Sequence, residues 1–264
     1  PADIQAGVYA LQGGTGDMTL IVAPRQQYVM LIDGGKSRNT FEAAWKSHLS
    51  KLTRITHIFV THHDTDHTSG IRLLLGRLKM KQQGERLPSI KGCKLYMNVR
   101  KTILATKGYQ HEEDIANLAT KLNIKVLPAI VPRDQDAINV INGQRLKLDI
   151  VAPRHDLVMD RAAPGKYVRD TFSAVGYKST DRIYCYGSTT GANVLSINLV
   201  LLWEKRDAFL FSGDSHLTTV SDVAREFLKR KKLKMFAYAD VPHHGSIHSN
   251  RTSVDSRNAA FKRL

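Results

Sequence analysis

Thr61-His62-His63-Asp64-Thr65-Asp66-His67-Thr68-Ser69-Gly70 sets five side chains able to ligate a metal within six consecutive positions. An apolar run that reads as a buried strand, THIFVTH (56–62), leads into it, and a helix is expected over 69–83. Clustered polar groups at the end of a buried strand are costly unless paired, and a metal ion pairs several at once. With eleven His in the chain, the pattern His-x-Asp-x-Asp-His arises by chance about two times in a thousand. The bland reading is a solvated acidic turn.

Three further strand-like runs end in the same residue types. Leu31-Ile32-Asp33-Gly34-Gly35 and Phe211-Ser212-Gly213-Asp214 each close on an acid, and Val241-Pro242-His243-His244-Gly245-Ser246 closes on a His pair with His248 nearby. Each is unremarkable alone. Together, four strand ends bearing Asp or His can meet at one sheet edge, where α/β proteins build their sites.

Around these points, strands are expected at 7–12, 17–23, 27–33, 94–100, 124–130, 144–152, 181–187, 194–203, 208–214 and 235–244. Helices are expected from a cap at Asn39 and Thr40 to about 52, and over 112–123 and 217–233. The alternation excludes an all-α bundle and predicts an α/β fold of two sheets flanked by helices. The stretch 156–179 reads as a long loop, an insertion facing substrate. No interdomain linker is visible, so residues 1–264 read as one domain.

Of 264 residues 42% are hydrophobic, enough for a substantial core. The formal net charge of +15 calls for a polyanionic partner, with nucleic acid ahead of a membrane surface or an acidic metabolite. Two cysteines, Cys93 and Cys185, form neither a disulfide framework nor a cysteine-only zinc site, which fits a reduced, cytoplasmic setting. No signal peptide is seen, and the most apolar run, 194–203, is far short of the roughly twenty residues that cross a bilayer. The chain opens on Pro1 rather than Met, which suggests processing or a fragment of a longer parent chain.

Read in order, these segments resemble the metallo-β-lactamase superfamily, in the variant of the ComEC-type DNA-uptake hydrolase domains and their soluble relatives. The resemblance spans about 7–246. It rests on Gln12-Gly-Gly-Thr-Gly-Asp17, Leu31-Ile-Asp33-Gly, the His62-x-Asp64-x-Asp66-His67 loop, Leu210-Phe-Ser-Gly-Asp214 and Val241-Pro-His-His-Gly-Ser246. It implies a metallo-β-lactamase αβ/βα sandwich with two divalent ions at one edge. His62 and Asp64 would hold one ion; Asp66, His67 and one of His243 and His244 the other; Asp214 would bridge them. Asp33 would orient the loop from behind. Spacing to Ser246 favours His244 as the ligand, leaving His243 or Ser246 to stabilise the transition state. Asp66 would orient the attacking hydroxide.

Two departures stand out. Asp64 occupies a position where most of the superfamily has His, and its harder oxygen shifts preference from Zn²⁺ towards Mn²⁺ or Mg²⁺. The extra His ligand usual before Asp214 is not evident: His111 and His155 read as surface residues, and Asn193 and Ser196 match an Asn…Ser element of ComEC-like chains. Related domains also continue beyond the equivalent of Ser246, so the last C-terminal elements of the family are expected to be missing, and a protein partner or a longer parent chain is expected.

Charge selects among reactions that the fold alone cannot. Lys229-Arg230-Lys231-Lys232 ends the 217–233 helix, where it also complements the helix dipole. Arg77, Lys79, Lys81, Arg86, Lys91, Lys94, Arg100, Lys101 and Lys107 follow the metal loop. Basic regions on both sides favour a phosphate backbone, and hence a metal-dependent DNA nuclease. The alternatives are a small-molecule ester, lactone or phosphodiester hydrolase, and a catalytically weak nucleic-acid-binding module.

Overall fold

The computed structural model describes residues 4–11, 16–80, 86–98, 110–132, 135–153, 193, 196–215 and 217–240. Two compact units divide the chain, Pro1–Pro128 and Ala129–Leu264.

The first unit holds a six-stranded sheet: β1 (Gly7–Ala10), β2 (Thr19–Val22), β3 (Val29–Ile32), β4 (His57–Phe59), β5 (Lys94–Tyr96) and β6 (Lys125–Leu127), adjacent in that order. β1 to β3 pair antiparallel and β3 to β6 parallel, so the sheet is mixed. Its helices are α1 (Arg38–Ser47), α2 (Thr65–Met80) and α3 (Gln110–Lys121). Phe41, Ala44 and Trp45 of α1, Leu74, Leu75 and Leu78 of α2 and Ile115 and Ala119 of α3 recur at helical spacing and bury against Leu31, Ile58 and Leu95. Arg77 covers this core from outside. Its guanidinium lies 4.7 Å above the Trp45 ring and forks onto Glu42 at 3.0–3.1 Å.

Ser37, not Asn39 or Thr40, caps α1: its Oγ accepts from Thr40 N–H, and Ser37 N–H donates back to Thr40 Oγ1. More consequentially, α2 starts at Thr65, four residues before the expected 69. The Asp64 carbonyl accepts from His67 N–H, Thr68 N–H and the Thr68 hydroxyl, so helical hydrogen bonding begins inside the polar motif.

The second unit holds a mixed five-stranded sheet in the order β11-β10-β9-β8-β7, from β7 (Ile138–Asn142), β8 (Leu146–Ala152), β9 (Asn198–Trp203), β10 (Asp207–Phe211) and β11 (Tyr238–Ala239). Only β10 and β11 pair parallel. β7 is absent from the sequence reading; its Asn139 and Asn142 mask a strand of Ile and Val, and a register shift interrupts it at the sheet edge. Helix α4 (Leu217–Lys231) lays Val220, Val223, Ala224 and Phe227 on Val151, Val200, Ala208 and Leu210. The expected 156–179 loop and 181–187 strand lie outside the described residues. No helix among the described residues is long and apolar enough to cross a membrane.

Candidate metal centre

Parallel pairing of β3 with β4 places Ile32 opposite Phe59, so Asp33 and Thr61 emerge at the same edge. Asp33 has a left-handed backbone (φ 56°), uncommon outside glycine, and is fully buried. Hydrogen bonds hold it there. Asp33 N–H donates to Phe59 O at 2.8 Å; Thr61 N–H donates to Asp33 Oδ1 at 2.8 Å; the Thr61 hydroxyl donates to Oδ2 at 2.6 Å.

His67 Nδ1 lies 2.8 Å from Asp33 Oδ2. A carboxylate accepts only, so Nδ1 carries the proton and Nε2 the lone pair. Thr61 Oγ1 has given its hydrogen to Asp33 and faces His62 Nδ1 at 3.1 Å, which fixes the same tautomer in His62. The two rings are tilted against each other with centroids 4.1 Å apart, and their candidate ligand nitrogens lie within 4.8 Å of each other. A carboxylate behind a histidine, aiming its Nε2, is the arrangement that orients imidazole towards a metal. Two imidazole nitrogens aimed in this way, from His62 and His67, fit a divalent cation.

Asp64 stands at the loop tip, Oδ2 3.6 Å from His62 Nε2 and Oδ1 3.5 Å from His63 Nε2. The facing His62 ring, and His63 beyond it, hold the Asp64 carboxyl below its ordinary range against the opposing effects of burial and Asp66. Asp66 lies in the first turn of α2, where a negative side chain suits the helix dipole.

Glycines let the backbones close around this loop. A Cβ at Gly16 would sit 1.8 Å from Asp66 O, at Gly34 2.3 Å from Ile71 N, and at Gly70 1.9 Å from Gly34 O. Gly34 N–H donates to His67 O at 2.8 Å, stitching the Asp33 turn to α2.

In the second unit, Asp214 sits in a turn after β10, 3% exposed, with Gly213 at φ 52° and Ser215 N–H donating to Ser212 O. Asp240, just past β11, accepts from Ser212 N–H at 2.8 Å (Oδ2) and from the Ser212 hydroxyl at 2.5 Å (Oδ1). Asn198 Nδ2 donates to Ser196 O and Ser215 Oγ, which ties buried Ser196 to the Asp214 turn, and Ser196 N–H donates to the carbonyl of buried Asn193 at 3.2 Å. Sequence reasoning missed the roles of Thr61 and Asp240; for Thr61 a hydroxyl closing an apolar strand was the available signal, whereas Asp240 offered none. His243, His244, Ser246 and His155 lie outside the described residues. His111, read as a surface residue, is half-buried with Nδ1 3.1 Å from Thr68 Oγ1.

Residues 11–146, more than half of the chain, match the model of the metallo-beta-lactamase superfamily, and the chain belongs to it. Its two mixed sheets and flanking helices are that superfamily's, a fold that supports a metal-dependent hydrolase. Similar solved structures include Zn(2+)-bound PqqB from Methylobacterium extorquens (12% identity, 83% of this chain and 65% of that one, TM-score 0.39). Others are the metallo-beta-lactamase SMB-1 (13%, 91% and 78%, 0.42) and the metallo-beta-lactamase fold protein YhfI from Bacillus subtilis (10%, 99% and 87%, 0.39). No curated protein matches the sequence.

Proposed function

We propose that the chain is a metal-dependent phosphodiesterase of the ComEC type that cleaves nucleic acid, DNA in preference to RNA. The observation that carries this reading is a histidine and carboxylate metal loop in a chain of formal charge +15. A small neutral ester gains nothing from such charge, whereas a phosphate backbone is attracted by it.

His62 and Asp64 are assigned to one ion, Asp66, His67 and His244 to the other, and Asp214 to both. Zn²⁺, Mn²⁺ and Mg²⁺ are the candidates, the oxygen of Asp64 favouring the harder two. Bound divalent ions supply water activation and charge neutralisation for in-line displacement at phosphorus. The chain's own residues do the rest. Asp33 and Thr61 fix the imidazole tautomers, Asp66 would orient the nucleophile, His243 or Ser246 would stabilise the developing charge, and Lys229, Arg230, Lys231 and Lys232 would attract the backbone.

The test is cleavage of single- and double-stranded DNA by metal-stripped protein given Mn²⁺, Mg²⁺ or Zn²⁺, beside Asp214→Ala. Cutting with at least one metal, lost in Asp214→Ala, is expected. Salt-sensitive DNA binding without cutting in any metal contradicts the reading in favour of a binding module; neither binding nor cutting points to small esters.

A further inference from the structure

In the second unit, a cleft of about 450 Å³ opens between the C-terminal end of α4 and strands β7 and β8. That volume lies within the roughly 300–1,000 Å³ of small-molecule sites. Lys147, Asp149 and Val151 alternate along β8 and therefore share a face, with Asn139 paired beside Asp149 on β7. Phe227, Arg230 and Lys231 of α4 line the other side.

Towards the start of α4 this interface is apolar; at the cleft it becomes polar. Asp149 is 5% exposed, and its Oδ1 has no hydrogen-bond partner among the described residues. Lys147 Nζ reaches only Oδ2, at 3.7 Å. An acceptor so buried and unused costs stability unless a ligand supplies a donor. Burial raises the Asp149 carboxyl, and Lys147, Lys231 and Arg230 counter the rise. Among the described residues at the cleft, those three cations outnumber the two carboxylates, Asp136 being held by Arg230 at 2.6 Å. The ligand therefore brings an anion for the basic rim. Its donor to Asp149 must also be neutral, because an ammonium would be repelled by the same three cations. A phosphate joined to a ring with neutral N–H groups meets both conditions, and the buried Phe227 and Val151 contribute only the edge of an apolar floor.

We infer that this cleft binds a nucleoside monophosphate unit, with the phosphate on Arg230 and Lys231 and a base N–H on Asp149. The site stands on the second unit alone and does not depend on the hydrolase reading.

The experiment is calorimetric titration of the full chain, with EDTA present to suppress turnover. The probes are guanosine 5′-monophosphate and ribose 5-phosphate, against Asp149→Asn and Lys231→Glu. The nucleotide should bind at least tenfold more tightly than ribose 5-phosphate. Asp149→Asn should erase that preference, and Lys231→Glu, an exposed position that leaves the fold intact, should weaken nucleotide binding about tenfold. Equal binding of both probes to the parent protein, no measurable nucleotide binding, or binding unchanged in Lys231→Glu overturns the inference. Competition by a short single-stranded DNA would identify the unit as part of a strand; a lack of competition with nucleotide binding intact would identify a free nucleotide.

Discussion

The ends of β4 and β10 are each braced by a carboxylate from the parallel strand alongside. Asp33 takes the Thr61 N–H and hydroxyl; Asp240 takes the Ser212 N–H and hydroxyl. The sequences around them share little. Both solve one problem: a loop leaving a buried strand has main-chain donors that water cannot reach, and an acid on the neighbouring strand satisfies them. The difference is what else the carboxylate holds. Asp33 is fully buried and also grips His67 Nδ1, so it sets the chemistry of a candidate ligand atom. Asp240 is half-buried and grips the turn that carries Asp214.

Gly70→Ala should break the first brace outright. Its Cβ would meet the Gly34 carbonyl at 1.9 Å, backbone against backbone, so α2 must move off the Asp33 turn. We expect destabilisation of about 3 kcal/mol or more by chemical denaturation. Gly76→Ala, in the same helix with nothing within 4 Å of its Cβ, should instead gain roughly 0.5–1 kcal/mol.

Asp33→Asn against Asp240→Asn separates ligand tuning from loop bracing. An asparagine in place of Asp33 can still accept from Thr61 but does not favour the His67 tautomer, so metal affinity should fall roughly 10- to 100-fold. Asp240→Asn should cost about 1 kcal/mol in unfolding, with metal affinity much less affected. Equal losses of affinity would erase the distinction.

His57, at the opposite end of β4 from Thr61, sharpens it further. The ring is buried, stacked near Phe59 and Tyr96, and donates from Nδ1 to Thr56 Oγ1. Burial, with Lys94 adding repulsion, lowers its pKa from 6.5 to about 4. The unfolded chain therefore takes up the proton first as pH falls. Stability contributed by neutral His57 is full above about 6.5 and declines between there and 4, by on the order of 3 kcal/mol. His57→Gln should flatten that decline in denaturation curves taken across the window.

Much of this is legible in the chain. Apolar runs closed by Asp or His mark the strand ends, and the density of ligands at 62–67 marks the loop, because burying such groups without a cation to pair them is costly. The start of α2 is harder to see. Asp66, His67 and Thr68 read as loop residues, whereas the Asp64 carbonyl already nucleates helical bonding. β7 is hidden because its asparagines break the apolar pattern at an exposed edge. Asp240 and Asp149 are invisible on different grounds: a lone acid in a strand acquires meaning only from the neighbouring strand or helix that packs over it.

The proposed binding of a metal by His62 and His67, aligned through Thr61 and Asp33, is what the rest of the proposed site depends on. Titrating Mn²⁺ or Zn²⁺ into metal-stripped protein, followed by calorimetry, tests it most directly beside His67→Ala. Binding by the parent chain that weakens at least a hundredfold in the variant is the predicted result. Undiminished binding by a folded His67→Ala protein would contradict it.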